Sequence, residues 1–372
     1  MKLETSSPRL SQYELLRLLA MFFIVALHTS THGLDVFYHP PTFSGPPQCG
    51  LVNGLLVQLW LNLCSVGVNI YILITGYFLI TASGKWRKLC RIWWQTLLFA
   101  LAAPLLLVLP GQVAGSEWQW GFLLPLRNDV YWFVTRYVAL LALAPFLSRL
   151  AQGLSRKEYA LLLGILALLN LKFGRFLYGE LFSGNNSLLF FIFLYLTGGF
   201  LRLWAGRPRW RHFGTAYLGF CLATGVAAWS LGLWRSGGTA TSLIVGAYNG
   251  THFISALLLF RWAQGLTLPS GRLAQWICRA APFTFGVYLL HDHPVVRHWL
   301  WHQVFDLRSM ADSPWLLACL TGVSVGVFGC SLLLSALLSP LATRLFDILW
   351  AALPFRTAGQ WLTKGKAKLL RR

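Results

Sequence analysis

Long apolar stretches separated by short polar ones run through the whole chain and limit it to few architectures. Each stretch extends over about 18 to 25 residues, enough for a helix to cross the roughly 30 Å hydrocarbon layer of a bilayer. Of the 372 residues, 56% are hydrophobic and only 11% are charged. Soluble domains are about one quarter charged. The pattern excludes a soluble globular enzyme and predicts an all-α membrane protein with many spans.

The apolar stretches predict about ten transmembrane helices in a single bundle, with no linker that would divide it. These spans lie near residues 13–33, 52–82, 92–110, 130–148, 158–172, 187–203, 213–234, 241–262, 282–300 and 314–338. We therefore expect a membrane domain of residues 1–345. Residues 346–372 mix aromatic and basic side chains, which is typical of a tail on the anionic cytoplasmic surface.

The net charge of +20 comes from 31 Lys and Arg against 11 Asp and Glu. In a soluble chain such an excess would suggest nucleic acid, but here the basic residues form short clusters between apolar stretches and no nucleic-acid motif accompanies them. If the N-terminus is cytoplasmic, most of these basic residues fall on the cytoplasmic side, as membrane topology favours. We predict that both termini are cytoplasmic and that nucleic acid is not a partner.

The first span carries ionisable side chains, which are unfavourable in a membrane and therefore indicate function. Arg17 and His28 are 11 residues apart, which is close to three turns of a helix and a rise of roughly 16 Å. Glu14 and His32 lie within about 60° of Arg17 around the same helix. We expect these four side chains to form a polar stripe that faces a cavity and not the lipid.

Simpler interpretations of the stripe remain open. Glu14 and Arg17 can pair at the inner interface and only anchor the helix, with His28 as a core histidine. His28 and His32 are spaced like a zinc pair, but their helix offers no clear third ligand, so we predict no metal site.

The chemistry of Arg17 and His28 favours acyl transfer to a hydroxyl. A histidine titrates near neutral pH and can take a proton from a hydroxyl, whereas an arginine is always charged and matches the geometry of phosphate. The pair therefore suits a phosphate-bearing acyl donor. Whether His28 acts as a general base or carries the acyl group transiently is left open by the sequence.

Four motifs follow one another along the chain. The segment YELLRLLAMFFIVALH begins at Tyr13 and contains Arg17, ten further residues and His28; it is followed by GVNIYILITGYF from Gly67, YWFVTRY from Tyr131 and FGVYLLHDHP from Phe285. In order and spacing these motifs resemble the acyltransferase 3 family, integral-membrane O-acyltransferases that modify surface glycans and other envelope molecules.

The resemblance implies an acyl-CoA donor, most often acetyl-CoA, that is used from the cytoplasm on an acceptor outside. It identifies His28 as the catalytic histidine and Arg17 as its paired arginine, which we expect Glu14 to hold. The basic residues Arg87, Lys88 and Arg91 match the family's basic run. They can bind the CoA phosphates or serve only as positive-inside charge.

Candidates for acceptor binding lie on the outer side. Trp132 and Arg136 begin the fourth span, where tryptophan is otherwise an interface anchor, and His291 and Asp292 lie near the outer end of the ninth. His291 would share a helix face with two further histidines, His298 and His302, only if the helix continued through Pro294, which proline disfavours.

These features lead to a plasma-membrane O-acetyltransferase that moves an acetyl group from cytoplasmic acetyl-CoA to a hydroxyl of an extracytoplasmic polysaccharide or lipid-linked glycan. The alternative is a transporter or flippase of a small molecule or glycan precursor, since a polar track through the bundle can also pass a substrate. The sequence shows no internal repeat of the kind that transporters often have. A scaffold subunit would have no use for the intramembrane Arg17 and His28.

Overall fold

The computed structural model describes residues 10–34, 50–82, 86–127, 130–170, 187–208, 210–234 and 239–352, and over those ranges the regular elements are helices, without a strand. In chain order the α-helices are α1 (Ser11–His28), α2 (Leu51–Cys64), α3 (Gly67–Leu79), α4 (Trp86–Val108), α5 (Trp132–Gly153), α6 (Arg156–Asn170), α7 (Leu188–Trp204), α8 (Phe213–Trp234), α9 (Thr239–Gly265), α10 (Arg272–Ala280), α11 (Thr284–His291), α12 (Pro294–Trp299) and α13 (Leu316–Ala352).

The predicted all-α membrane bundle is confirmed, because every predicted span contains at least one helix. Six segments of the described chain are long and apolar enough to cross a membrane: Ser11–Gly33, Leu51–Leu79, Trp86–Val108, Trp132–Gly153, Phe213–Leu231 and Leu316–Ala352. The cytoplasmic position of the termini stays a prediction.

Two predicted spans are interrupted. The second is divided at Ser65 and Val66 into α2 and α3, and the ninth ends as a helix at His291 and restarts at Pro294. Because α13 continues to Ala352, the predicted boundary at residue 345 falls within this helix, and residues 353–372 of the predicted tail lie outside the described residues.

Helix α1 lies in the centre of the bundle, in contact with α2, α3, α9, α10, α11 and α13. Leu16, Ala20 and Val25 on it are completely buried. Gly67 at the start of α3 lies against the backbone of Ala20, where a side chain would collide with the Ala20 carbonyl. Close approach through glycine is a common way for membrane helices to pack, because lipid supplies no hydrophobic force between them.

Helices α3 and α7 cross at close range, because glycines on both helices lie at the crossing. Gly76 lies against the backbone of Tyr195, and Gly198 lies against the carbonyl of Leu73. Because α3 also packs on α1, this crossing fixes the position of the central helix.

Helix α11 is held by side-chain hydrogen bonds from two neighbouring elements. The Tyr131 hydroxyl, just before α5, donates to the Leu289 carbonyl at 2.7 Å. The Ser335 hydroxyl of α13 donates to the Phe283 carbonyl at 2.7 Å, and Gly286 allows α13 to approach. The motifs that begin at Tyr131 and Phe285 are thereby joined, beside α1.

Candidate active site

The end of α1 is fixed on two sides. After His28 the chain makes a wide π-helical turn, Thr29–Gly33, a conformation that is frequent at functional sites. The Trp60 indole of α2 donates to the Ala26 carbonyl at 2.9 Å, and the Ser324 hydroxyl of α13 donates to the Thr29 hydroxyl at 3.0 Å. The His28 side chain is consequently presented from a rigid position.

His28 contacts His291, the last residue of α11, through ring nitrogens: His28 Nδ1 lies 3.0 Å from His291 Nε2. On the other side of its ring, His291 Nδ1 lies 2.6 Å from the Val287 carbonyl. A carbonyl oxygen only accepts hydrogen bonds, so His291 Nδ1 carries the proton, and in a neutral ring Nε2 then holds a lone pair. His28 Nδ1 must be the donor to that lone pair, which leaves His28 Nε2 as the basic atom.

Asp292 places a carboxylate beside the same ring. Its side chain is 3% exposed, and its Oδ1 lies 3.5 Å from His28 Nδ1 and 3.5 Å from the Arg297 guanidinium. Oδ1 makes no hydrogen bond among the described residues. The carboxylate therefore lies next to the ring on which a positive charge would form if a proton arrived at Nε2.

The sequence predicted His291 and Asp292 as acceptor-binding residues, and the structure brings both into contact with His28. The interruption of the helix at Asp292 and His293 makes this geometry possible. It also means that His291, His298 and His302 do not share a continuous helix face; His298 and His302 instead pack on each other, with ring centres 4.9 Å apart.

At the other end of the polar stripe, Glu14 and Arg17 form an ion pair with 2.7 Å between Oε2 and Nη1. The Glu14 side chain is 11% exposed and the Arg17 side chain 28%. The Arg17 guanidinium is therefore held by Glu14 and still partly accessible to a ligand.

The predicted CoA-binding residues fall into two groups. Arg87 and Arg91 both donate to Oδ1 of Asp347 on α13, at 2.9 and 3.2 Å, and all three side chains are about half exposed. Lys88 is also exposed, but it borders a small open pocket of about 40 Å³ together with Ser148 and Tyr195. It is close enough to Arg17 for the two cations to repel each other.

A second, larger cavity of about 380 Å³ opens beside Asp292, the carboxylate next to His28. Its lining includes Asp292, Arg297, Trp132, Glu117, Gln119 and His298. With a cytoplasmic N-terminus this cavity lies on the extracytoplasmic side. Trp132, a predicted acceptor-binding residue, therefore lines the same cavity as Asp292.

Two other residues predicted to bind the acceptor, Arg136 and His291, do not line this cavity. Arg136 donates to the Trp132 carbonyl at 3.0 Å, with its guanidinium over the Trp132 ring, and is not part of the cavity lining. His291 instead contacts the His28 ring, as Asp292 does. Glu117, Gln119 and Arg297 were not predicted; their only sequence signal is that polar residues lie beside aromatic ones in short outer segments.

The geometry can be compared with known proteins. The model of a protein family described as an acyltransferase domain matches residues 10–335, nearly the whole chain. No curated protein and no solved structure matches. The matched range contains both ends of the polar stripe, the two cavities and the segment with His291 and Asp292.

Proposed function

This chain belongs to the acyltransferase 3 family and is a multi-pass membrane acyltransferase, and from that premise we propose that it is an O-acetyltransferase of the plasma membrane. It would move an acetyl group from cytoplasmic acetyl-CoA to a hydroxyl of an extracytoplasmic polysaccharide or lipid-linked glycan. The observation that carries the proposal is the hydrogen bond from His28 to His291, which leaves a basic nitrogen on a histidine whose neighbour Asp292 lines the outer cavity.

In the proposed reaction, His28 Nε2 takes the proton of the acceptor hydroxyl as the oxygen attacks the thioester carbonyl carbon. The tetrahedral intermediate then collapses, the carbon–sulfur bond breaks, and the proton passes from His28 to the leaving CoA thiolate. The products are the acetyl ester and free CoA. Asp292 stabilises the imidazolium formed between these two proton transfers, and His291 keeps the His28 ring in the reactive tautomer.

The donor would lie along the polar stripe. Arg17, fixed by Glu14, is suited to the phosphate or pantetheine part of acetyl-CoA, and Lys88 adds a second cation at the small pocket. Arg17 and His28 are separated by roughly 16 Å along α1, a distance that an extended pantetheine arm can bridge. The charged end of the donor then remains on the cytoplasmic side while the acetyl group reaches His28.

The acceptor would enter from the outer cavity. An aromatic ring such as Trp132 offers an apolar face to a sugar, and Glu117, Gln119 and Arg297 offer hydrogen-bonding groups around it. The cavity volume of about 380 Å³ is at the small end of the range for ligand sites, which suits a short stretch of saccharide.

The test is a measurement of ester-linked acetate on surface glycan. Cells lacking this chain are complemented with wild type, with His28→Ala, or with His212→Ala, which changes an exposed histidine between α7 and α8, at equal membrane levels. We expect wild type and His212→Ala to restore the acetate and His28→Ala to leave it absent.

Two results would contradict the proposal. Acetate that never depends on this chain would argue for the transport alternative, to be followed by uptake and export assays on reconstituted protein. Acetate restored equally by His28→Ala would remove the histidine from the mechanism.

A further inference from the structure

Around His28 the structure gathers more nitrogen and oxygen donors than proton transfer needs. His28, His32 and Asp292 each offer one ligand atom, and these three atoms all lie within 4.8 Å of one another. The two histidines come from one turn of chain at the end of α1. The carboxylate is the third ligand that α1 itself does not provide, and it comes from the interruption between α11 and α12.

Their spacing is close to that of a coordination sphere. In a tetrahedral zinc site with bonds of about 2.0 to 2.1 Å, neighbouring ligand atoms are about 3.3 Å apart. His28 Nδ1 lies 3.5 Å from Asp292 Oδ1 and 3.0 Å from His291 Nε2. His291 therefore offers a fourth nitrogen next to one of the three ligand atoms. The ring of His32 is centred 5.1 Å from that of His28.

Two further observations point to a cation. Asp292 Oδ1 is buried and has charged neighbours only at 3.5 Å, without a hydrogen bond in the described chain, although a buried carboxylate oxygen that accepts no hydrogen bond is unfavourable. His291 donates its Nδ1 proton to the Val287 carbonyl, the arrangement by which protein histidines are usually oriented when their other nitrogen binds a metal.

We propose that His28, His32, His291 and Asp292 form a site for a divalent transition metal, with Zn²⁺ as the expected ion, and that occupancy of this site switches the transferase off. Three imidazoles and one carboxylate are ligands that Zn²⁺ accepts in tetrahedral geometry. The binding part of this inference stands on the geometry alone, whereas the switching part rests on the proposed function.

The reason for inhibition is the tautomer of His28. A metal bonded to His28 Nδ1 displaces the proton that this atom donates to His291, and a neutral ring then carries its proton on Nε2. The acceptor hydroxyl would face an N–H group where it needs a lone pair. Zn²⁺ thus blocks the base without occupying the acceptor cavity.

Arg297 is the nearby charge that opposes a cation, since it lies 3.5 Å from Asp292 Oδ1. Its side chain is 38% exposed and also lines the outer cavity, so it can turn away from Asp292 when a metal replaces it. Competition between Arg297 and the metal for Asp292 lowers the affinity of the site for Zn²⁺. We therefore expect Arg297→Gln to bind Zn²⁺ more tightly than wild type.

The experiment uses the full chain without a polyhistidine tag, in nanodiscs, with Zn²⁺ measured by equilibrium dialysis. His32→Gln and His302→Gln are compared with wild type, since each variant removes one of the 9 histidines and only His32 belongs to the site. We expect wild type and His302→Gln to bind one tight Zn²⁺ and His32→Gln to bind it at least tenfold more weakly. Acetyl transfer, expressed for each protein relative to its own metal-free rate, should resist Zn²⁺ only in His32→Gln.

A readout on wild type alone guards against a variant that fails to fold. Co²⁺ in the site should give the strong visible absorption of a four-coordinate ion, which Zn²⁺ removes. Weak six-coordinate absorption, or equal Zn²⁺ binding by His32→Gln and His302→Gln, would overturn the metal site. Failure of the proposed function looks different: Zn²⁺ would bind with the expected dependence on His32 while no acetyl transfer is found.

Discussion

His28 and His291 are 263 positions apart in the chain, and their ring nitrogens are 3.0 Å apart in the structure. The contact decides which nitrogen of His28 is basic, because the Val287 carbonyl fixes the proton on the far side of His291. In the proposed reaction His291 would therefore act through His28, as a positioning residue.

Replacement of His291 tests this relationship. His291→Phe keeps an aromatic ring but removes the acceptor for the His28 Nδ1 proton, so we expect kcat for acetyl transfer to fall by about 10²-fold or more, with little change in KM for either substrate. In His291→Gln the amide oxygen can replace the lost acceptor, and part of kcat should return. The rates are measured in nanodiscs with labelled acetyl-CoA. Equal rates for the two variants would show that the His291 ring contributes only packing.

Asp292→Asn should lower kcat while donor binding is retained. The substitution keeps the shape of the side chain and removes the charge next to His28 Nδ1, so the imidazolium loses its stabilising partner. We expect a loss of about 10- to 100-fold, because charge stabilisation of this kind contributes a few kcal/mol. Asp306→Asn changes an exposed aspartate in a neighbouring segment and should leave the rate unchanged; a wild-type rate in Asp292→Asn would exclude the charge from the mechanism.

Lys88→Gln should weaken acetyl-CoA binding more than Arg87→Gln does. Both residues belong to the basic run at the start of α4, but Arg87 is paired with Asp347 whereas Lys88 borders the small pocket and lies within reach of the Arg17 charge. We expect the Kd for acetyl-CoA to rise by about tenfold in Lys88→Gln, which corresponds to roughly 1.4 kcal/mol. Titration calorimetry measures it, and a larger effect of Arg87→Gln would place the donor at the exposed ion pair instead.

Gly76→Ala should destabilise the bundle. An added methyl group would meet the Tyr195 carbonyl where α3 and α7 cross, and overpacking of this kind costs about 1 to 3 kcal/mol. Gly219→Ala on α8 is the matched control, since a methyl group there meets no neighbouring atom within 4 Å. Thermal unfolding in detergent should show a lower Tm for Gly76→Ala only. Equal Tm values would mean that α3 and α7 accommodate the added methyl group without loss of stability.

The sequence was sufficient for the features that depend on local pattern. Hydropathy located the helices because each span must be apolar along its own length, and the spacing of Glu14 and Arg17 placed them on one face, where they form an ion pair. The helix ends at His291, as Pro294 suggested, since proline removes a backbone donor.

Other features depend on contacts between distant segments, and no spacing rule predicts them. Asp292 becomes the neighbour of His28 only after α11 has packed beside α1. The break at Ser65 was also missed, because hydropathy is continuous there and the helices separate for reasons of packing around Gly67. The pairing of Arg87 and Arg91 with Asp347 likewise requires α4 and α13 to be adjacent.

The central position of α1 has a consequence for biosynthesis. His28 is synthesised 263 residues before His291, so most of the membrane domain lies between them along the chain. A nascent chain that ends before α11 therefore holds only half of the His28–His291 pair. Under the proposed function, the tautomer of His28 is set only once α11 has packed beside α1, so transferase activity would begin late in membrane insertion.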